Sequence, residues 1–137
     1  MELTVSNHVT FLSPKSIHQP RGYSHAAKIG PGTVLFVAGQ VALDVNGNLV
    51  GSGDFRAQSQ QVFQNLQAVV EAAGGKFRDI VKLNIYIVDV SKLAEYREVR
   101  DRYIDVNNPP TSTVVPVAAL FRPEFLIVIE AVAALQA

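Results

Sequence analysis

The chain has 137 residues, the length of one domain rather than two, and enough to bury roughly two-thirds of its unfolded surface. Hydrophobic residues make up 48% and charged residues 18%, which excludes a disordered polar chain. The 12 basic and 12 acidic side chains cancel, so the basic excess by which proteins grip nucleic-acid phosphates is missing, and no nucleic-acid partner is expected. The absence of cysteine excludes disulfides, thiolate catalysis and cysteine-ligated metal centres. Met1–His8 has neither the basic flank nor the apolar run of a signal peptide. The longest apolar stretches, such as Phe125 to Ile129, fall far short of the ~20 residues that span a bilayer. A cytoplasmic protein with no membrane partner is expected.

In chain order, Leu3–Val5 and Val9–Leu12 are short candidate strands, broken by Pro14, Pro20 and Gly22. His25–Ile29 reads as a further strand. Gly30-Pro31-Gly32 turns the chain into Val34–Ala38, an apolar run that predicts a strand buried on both faces. Asn46-Gly47 marks a tight turn. Asp54 is placed to cap a helix whose apolar stripe is Val62, Phe63, Leu66, Val69, Val70 and Ala73; its other face is rich in glutamine, Gln58 included, and Gly74-Gly75 ends it. Ile80–Val88 alternates, with Val81, Leu83, Ile85 and Ile87 on one side and Lys82, Asn84 and Tyr86 on the other. Ser91 is a plausible cap for a second helix reaching Tyr103, with Leu93, Tyr96, Val99 and Tyr103 as its apolar stripe and Arg97 and Arg100 on its solvated surface. Asn107-Asn108-Pro109-Pro110 stops it, and strands Thr111–Val117 and Phe125–Leu135 close the chain. This order predicts an α+β fold in which both helices lie on one face of a mixed sheet. The other face has no helix to cover it, so its apolar residues predict self-association.

The residues offer little standard catalytic apparatus. The histidines at 8, 18 and 25 lack the spacing of a zinc site, and no nucleophile elbow, phosphate loop or dinucleotide fingerprint is present. No metal and no cofactor is expected. Glu130 stands alone in the apolar run Phe125–Ala133. A carboxylate there is either a structural tie to an arginine or backbone N–H, or a site group facing a cleft.

Five segments, taken in order, resemble one family. Gly22-Tyr23-Ser24-His25-Ala26 resembles its Gly-Pro-Tyr-Ser-x-Ala loop, with Arg21-Gly22 in the Gly-Pro place. Val34–Gln40 resembles its strand ending in Ser-Gly-Gln, and Gln60–Gly74 its central helix. Asp79-Ile80-Val81-Lys82, closed by Asp89, resembles the next strand, and Ile129-Glu130-Ala131 the last one. Over about residues 18–134 of a single domain spanning 1–137, the chain is similar to the RidA family, also called YjgF or the L-PSP endoribonucleases. The resemblance implies a chorismate-mutase-like fold and a homotrimer whose sheets form a barrel-like centre, with small-molecule clefts between subunits. It also implies hydrolysis of imines or enamines such as 2-iminopropanoate to a keto acid and ammonia. In that family an arginine clamps the substrate carboxylate through a bidentate contact, and a glutamate positions water.

Two departures bear on this. Ser112 stands where the family arginine belongs, in Pro110-Thr111-Ser112-Thr113, and Val128 stands where the water-positioning glutamate belongs, leaving Glu130 as the surviving glutamate. The family's helix asparagine aligns with Arg100. Loss of a charge-assisted pair costs about a hundredfold or more in binding, so weak or absent 2-iminopropanoate deamination is expected. The first reading is a hydrolase of deaminase type acting on a different, less acidic imine or enamine. Glu130 is its catalytic candidate, and Tyr23, Gly39, Ser112, Thr113 and Arg100 are its substrate-binding candidates. The alternative is a non-catalytic trimer holding a metabolite in the inter-subunit cleft. Ribonuclease activity fits the neutral charge least.

Overall fold

The structure, a computed structural model, describes residues 8–136; the candidate strand Leu3–Val5 lies outside them. Its elements are β1 (Val9–Leu12), β2 (Ala26–Ile29), β3 (Thr33–Gln40), α1 (Phe55–Ala72), β4 (Ile80–Ile87), α2 (Leu93–Arg100), β5 (Thr111–Pro116) and β6 (Ile127–Leu135). Strands β1 and β2 pair as a separate antiparallel hairpin, and the main sheet has the order β3-β6-β4-β5. β6 runs antiparallel to both β3 and β4, whereas β4 and β5 are parallel. This is the expected mixed sheet with two helices on one side.

Alternation decides which side chains meet those helices. Leu83, Ile85 and Ile87 of β4 and Ile127, Ile129, Ala131 and Ala133 of β6 are buried beneath Val62, Phe63, Leu66, Val70, Tyr96 and Val99, and at the start of β4 a register shift between Ile80 and Lys82 gives Ile80, rather than the expected Val81, to this core. At ~25 cal/mol per Å² of apolar area, this layer is the main stabilising contribution. The opposite face carries Val34 and Phe36 of β3, the latter 79% exposed, and Val115 of β5. The apolar run 34–38 is therefore half bare rather than buried on both faces. Its hydrophobicity belongs to two surfaces, and only one is covered within the chain.

Local chemistry sets the element ends. Asp54 caps α1 by accepting from Ala57 N at 3.1 Å, and Gly74, at φ 88°, ends it with its amide on Glu71 O. The second helix starts differently from the Ser91 expectation. Asp89 is the cap of a 3-10 turn over Val90–Lys92, and Ser91 donates to it through both N and Oγ. Both bonds end on Oδ1, where the negative charge makes them stronger than bonds to a neutral hydroxyl cap. These contacts hold the Asp89 carboxyl below the ordinary aspartate range.

The glutamine-rich face of α1 is not all surface. Gln58 is fully buried. Its amide nitrogen donates to Gly51 O at 3.0 Å and Glu124 O at 2.9 Å, and its oxygen accepts from Leu126 N at 2.9 Å. It thereby fastens the chain entering β6 to the first turn of α1. Asn65, one of the residues quoted for the central helix, similarly holds the loop after β3 through Val41 O and Leu43 O, both at 3.0 Å.

Candidate functional site

The bare face of the sheet holds a cavity of about 430 Å³ lined by Phe36, Ala38, Lys82, Asn84, Glu130 and Val132, among others. Strand register puts its polar groups in a row, with Thr113 of β5 opposite Asn84 of β4 and Asn84 opposite Glu130 of β6. Asn84 Nδ2 and the Tyr86 hydroxyl both donate to Glu130 Oε1, each at 3.1 Å. That hydrogen bond is the first cause raising the Tyr86 ionisation above its ordinary value, so its hydroxyl remains a donor at neutral pH. Among the described residues Glu130 is thus tied neither to an arginine nor to a backbone N–H, the partners a structural tie was expected to use. It is half-buried, with one oxygen fixed by two neutral donors.

Gly39 lies at the bulge where the β3–β6 register shifts between Val37 and Gln40. A Cβ there would press on Val128 Cγ1. Val128 pairs with Tyr86 and lies on the same face as Glu130, two residues along the strand. Asn84, Tyr86 and Lys82 were absent from the sequence-derived candidates, although the alternation of β4 had already put all three on one side.

The other candidates gather on the helical side. Ser112 pairs with Leu83, which is buried under the helices. It faces Tyr96, whose hydroxyl is pushed well above the ordinary tyrosine range by burial. That hydroxyl has no hydrogen-bond partner of good geometry among the described residues. The loop carrying Tyr23 is fastened next to Ser112, because Ser24 N donates to Pro110 O at 3.0 Å and Ser24 Oγ to Pro109 O at 2.5 Å. Tyr23 shares a 2.9 Å hydrogen bond with His18 Nε2 and meets the His25 ring edge-on.

Arg100 is the clearest departure from expectation. It is 8% exposed, not part of a solvated surface, because the loop before β2 folds over it. Gly22, at φ 77°, lies so close that a Cβ would collide with the guanidinium. Arg100 Nε and Nη2 both contact Asp101 Oδ1 at 2.8 Å, and its carbon stands 5.9 Å from the Tyr96 ring centre. The candidates therefore fall into two groups that could serve only as half-sites: Glu130 and Thr113 on the bare face with Gly39 at the neighbouring bulge, although neither Thr113 nor Gly39 lines the Glu130 cavity, and Arg100 and Ser112 on the helical side beside the Tyr23 loop. Among the described residues no group of three or more metal-ligating side chains forms, and no helix is long and apolar enough to cross a membrane.

Residues 14–135 match the family model described as Endoribonuclease L-PSP. A RutC family protein of Pyrococcus horikoshii is 36% identical over 111 residues, covering 81% of this chain and 85% of that protein. A 2-iminobutanoate/2-iminopropanoate deaminase of Dermatophagoides farinae is 35% identical over 130 residues, covering 87% of this chain and 100% of the relative. Among solved structures, the Rid-family protein YyfB from Yersinia pestis is similar at a TM-score of 0.86 and 36% identity, with 93% of this chain and 99% of that chain covered. RidA from an Antarctic Psychrobacter is similar at a TM-score of 0.69 and 32% identity, with coverage of 90% and 94%.

Proposed function

The chain belongs to the endoribonuclease L-PSP family, the RidA or YjgF family, and from that premise we propose that it is a deaminase-type hydrolase of small imines or enamines. The observation that carries this reading is Glu130. It is a carboxylate at a cavity on the bare sheet face, held by Asn84 and Tyr86 so that one oxygen is fixed and the other is left for a proton. The full-length similarity to a 2-iminobutanoate/2-iminopropanoate deaminase supports the reaction class.

The chemistry requires one proton acceptor and a means of holding the substrate. Glu130 takes a proton from water as the oxygen adds to the C=N carbon, and the nitrogen takes up a proton. The carbinolamine then collapses to the carbonyl compound and ammonia. An enamine enters after protonation at carbon. The two half-sites lie on opposite sides of the sheet in one chain, so a ligand reaches both only between copies. A homotrimer supplies that arrangement, with the bare faces of the sheets turned inward and a small molecule in the cleft between neighbours. Tyr23 packs over the ligand, the Gly39 backbone approaches it, and Ser112, Thr113 and Arg100 bind its polar groups.

With Ser112 in the arginine's place and Val128 in the glutamate's, 2-iminopropanoate itself is a poor substrate. The test is ammonia release from a panel of imines generated in place by an amino-acid oxidase. Acceleration of at least one imine, lost in Glu130→Gln, supports the reaction. A spontaneous rate for every imine overturns it. One observation favours a second reading, a non-catalytic metabolite-binding trimer: Ser112 and Val128 stand where the family's arginine and water-positioning glutamate belong, so two of the groups used for turnover are replaced by side chains without charge. Ligand-dependent thermal stabilisation without turnover would establish that alternative.

A further inference from the structure

A second cavity, of about 420 Å³, lies at the C-terminal end of α2 and is lined by Arg21, Gly22, Arg97, Arg100, Asp101 and Val106. Guanidinium groups stay protonated at any physiological pH. Three of them facing one carboxylate leave two positive charges in excess here, within a chain whose formal net charge is zero. The macrodipole of α2 accounts for basic residues in its last turn, and so for Arg97 and Arg100. It does not account for Arg21, which reaches the same cavity from the loop before β2.

The pairing pattern sharpens the point. Arg100 is buried and spends Nε and Nη2 on a single oxygen of Asp101, so its other N–H groups have no acceptor among the described residues. Arg21 and Arg97 make no ion pair among the described residues. A buried guanidinium with unused donors is costly unless an anion completes it. Its planar fork matches the two oxygens of a carboxylate. The cavity lies within the size range of small-molecule sites.

We infer that this arginine cavity binds a small dicarboxylate, so that the imine or enamine processed by the protein carries two carboxyl groups. Resting on the deaminase reading, the inference assigns one carboxylate to Arg100 and the second to Arg21 and Arg97. It reverses the less acidic substrate that Ser112 alone suggested, because positive charge missing from β5 is supplied in excess from α2 and the Tyr23 loop.

Calorimetric titration of the full chain with succinate, propionate and inorganic phosphate tests this. Succinate is expected to bind at least tenfold more tightly than propionate, with affinity falling as salt rises. Arg21→Gln and Arg97→Gln are each expected to weaken succinate binding at least fivefold, while Arg78→Gln, an exposed cation elsewhere, leaves it unchanged. Arg100→Lys keeps the charge and loses the fork, and is expected to weaken binding while preserving the thermal transition. Equal binding of succinate and propionate, binding of phosphate alone, or unchanged affinity in both the Arg21 and Arg97 variants would overturn the dicarboxylate site. Succinate binding without turnover of any imine would refute the deaminase reading while keeping this site, and turnover with no preference for two carboxyl groups would do the reverse.

Discussion

Replacing Gln58 with leucine fills nearly the same volume and removes all three hydrogen bonds that the side chain makes. Those bonds run to Gly51 O, Glu124 O and Leu126 N, at 2.9 to 3.0 Å, from a residue with no solvent exposure. Each is worth about 1 kcal/mol net, and each abandoned buried partner adds about 1–3 kcal/mol where water cannot reach it. The loop positions of Gly51 and Glu124 admit some water, so the expected loss is about 3–5 kcal/mol. That is a large share of the ~5–15 kcal/mol by which domains are stable. Urea unfolding at fixed protomer concentration measures it, since the proposed trimer would make apparent stability depend on concentration. Gln64→Leu on the exposed side of the same helix is the control, expected within about 0.5 kcal/mol of the parent. A Gln58→Leu loss below 1 kcal/mol with an unchanged m-value would refute the claim that this amide holds the entry to β6.

Further expectations concern the site and the pH response. If Ser112 and Val128 hold the places of the family's arginine and glutamate, as proposed, then Ser112→Arg and Val128→Glu together are expected to raise 2-iminopropanoate hydrolysis at least tenfold; a rate no higher than the parent's would mean that these positions do not limit the reaction. Gly22→Ala places a side chain at positive φ against Arg100, with an expected cost of about 1–3 kcal/mol and weaker succinate binding, read from unfolding curves and titration. Asp89 has its carboxyl lowered by the hydrogen bonds from Ser91. Its contribution is therefore present above the unfolded value and lost as pH falls through the lower folded value. Asp89→Asn should be less stable than the parent at pH 6, with the gap closing below about pH 3.8. A gap that stays constant as the pH falls below 3.8 until the protein unfolds would show that the charge is not responsible.

Where one physical signal governs an element, the sequence exposes it. The period of β4, the stripe Val62-Phe63-Leu66-Val70 and the Asp54 cap all follow from alternation, helical spacing and a short acceptor before an apolar run. Polar residues are harder, because the same glutamine serves as surface or as a buried tie according to what lies across from it. Gln58 meets two carbonyls and an amide from segments remote in the chain, and no local pattern announces that. Arg100 is hidden for the same reason, since its burial depends on the Gly22 loop folding over α2. Glu130 stood out in sequence because it interrupts an apolar strand. Its partners Asn84 and Tyr86 were legible as one face of β4, but only the β4–β6 register joins them to it.

The decisive measurement is ammonia release from freshly generated imines, with the protein titrated against the spontaneous rate. Clear acceleration is expected for an imine bearing two carboxyl groups, little for 2-iminopropanoate, and loss of the acceleration in Glu130→Gln. Acceleration of 2-iminopropanoate as strong as that of the dicarboxylic imine, undiminished in Glu130→Gln, would contradict that expectation.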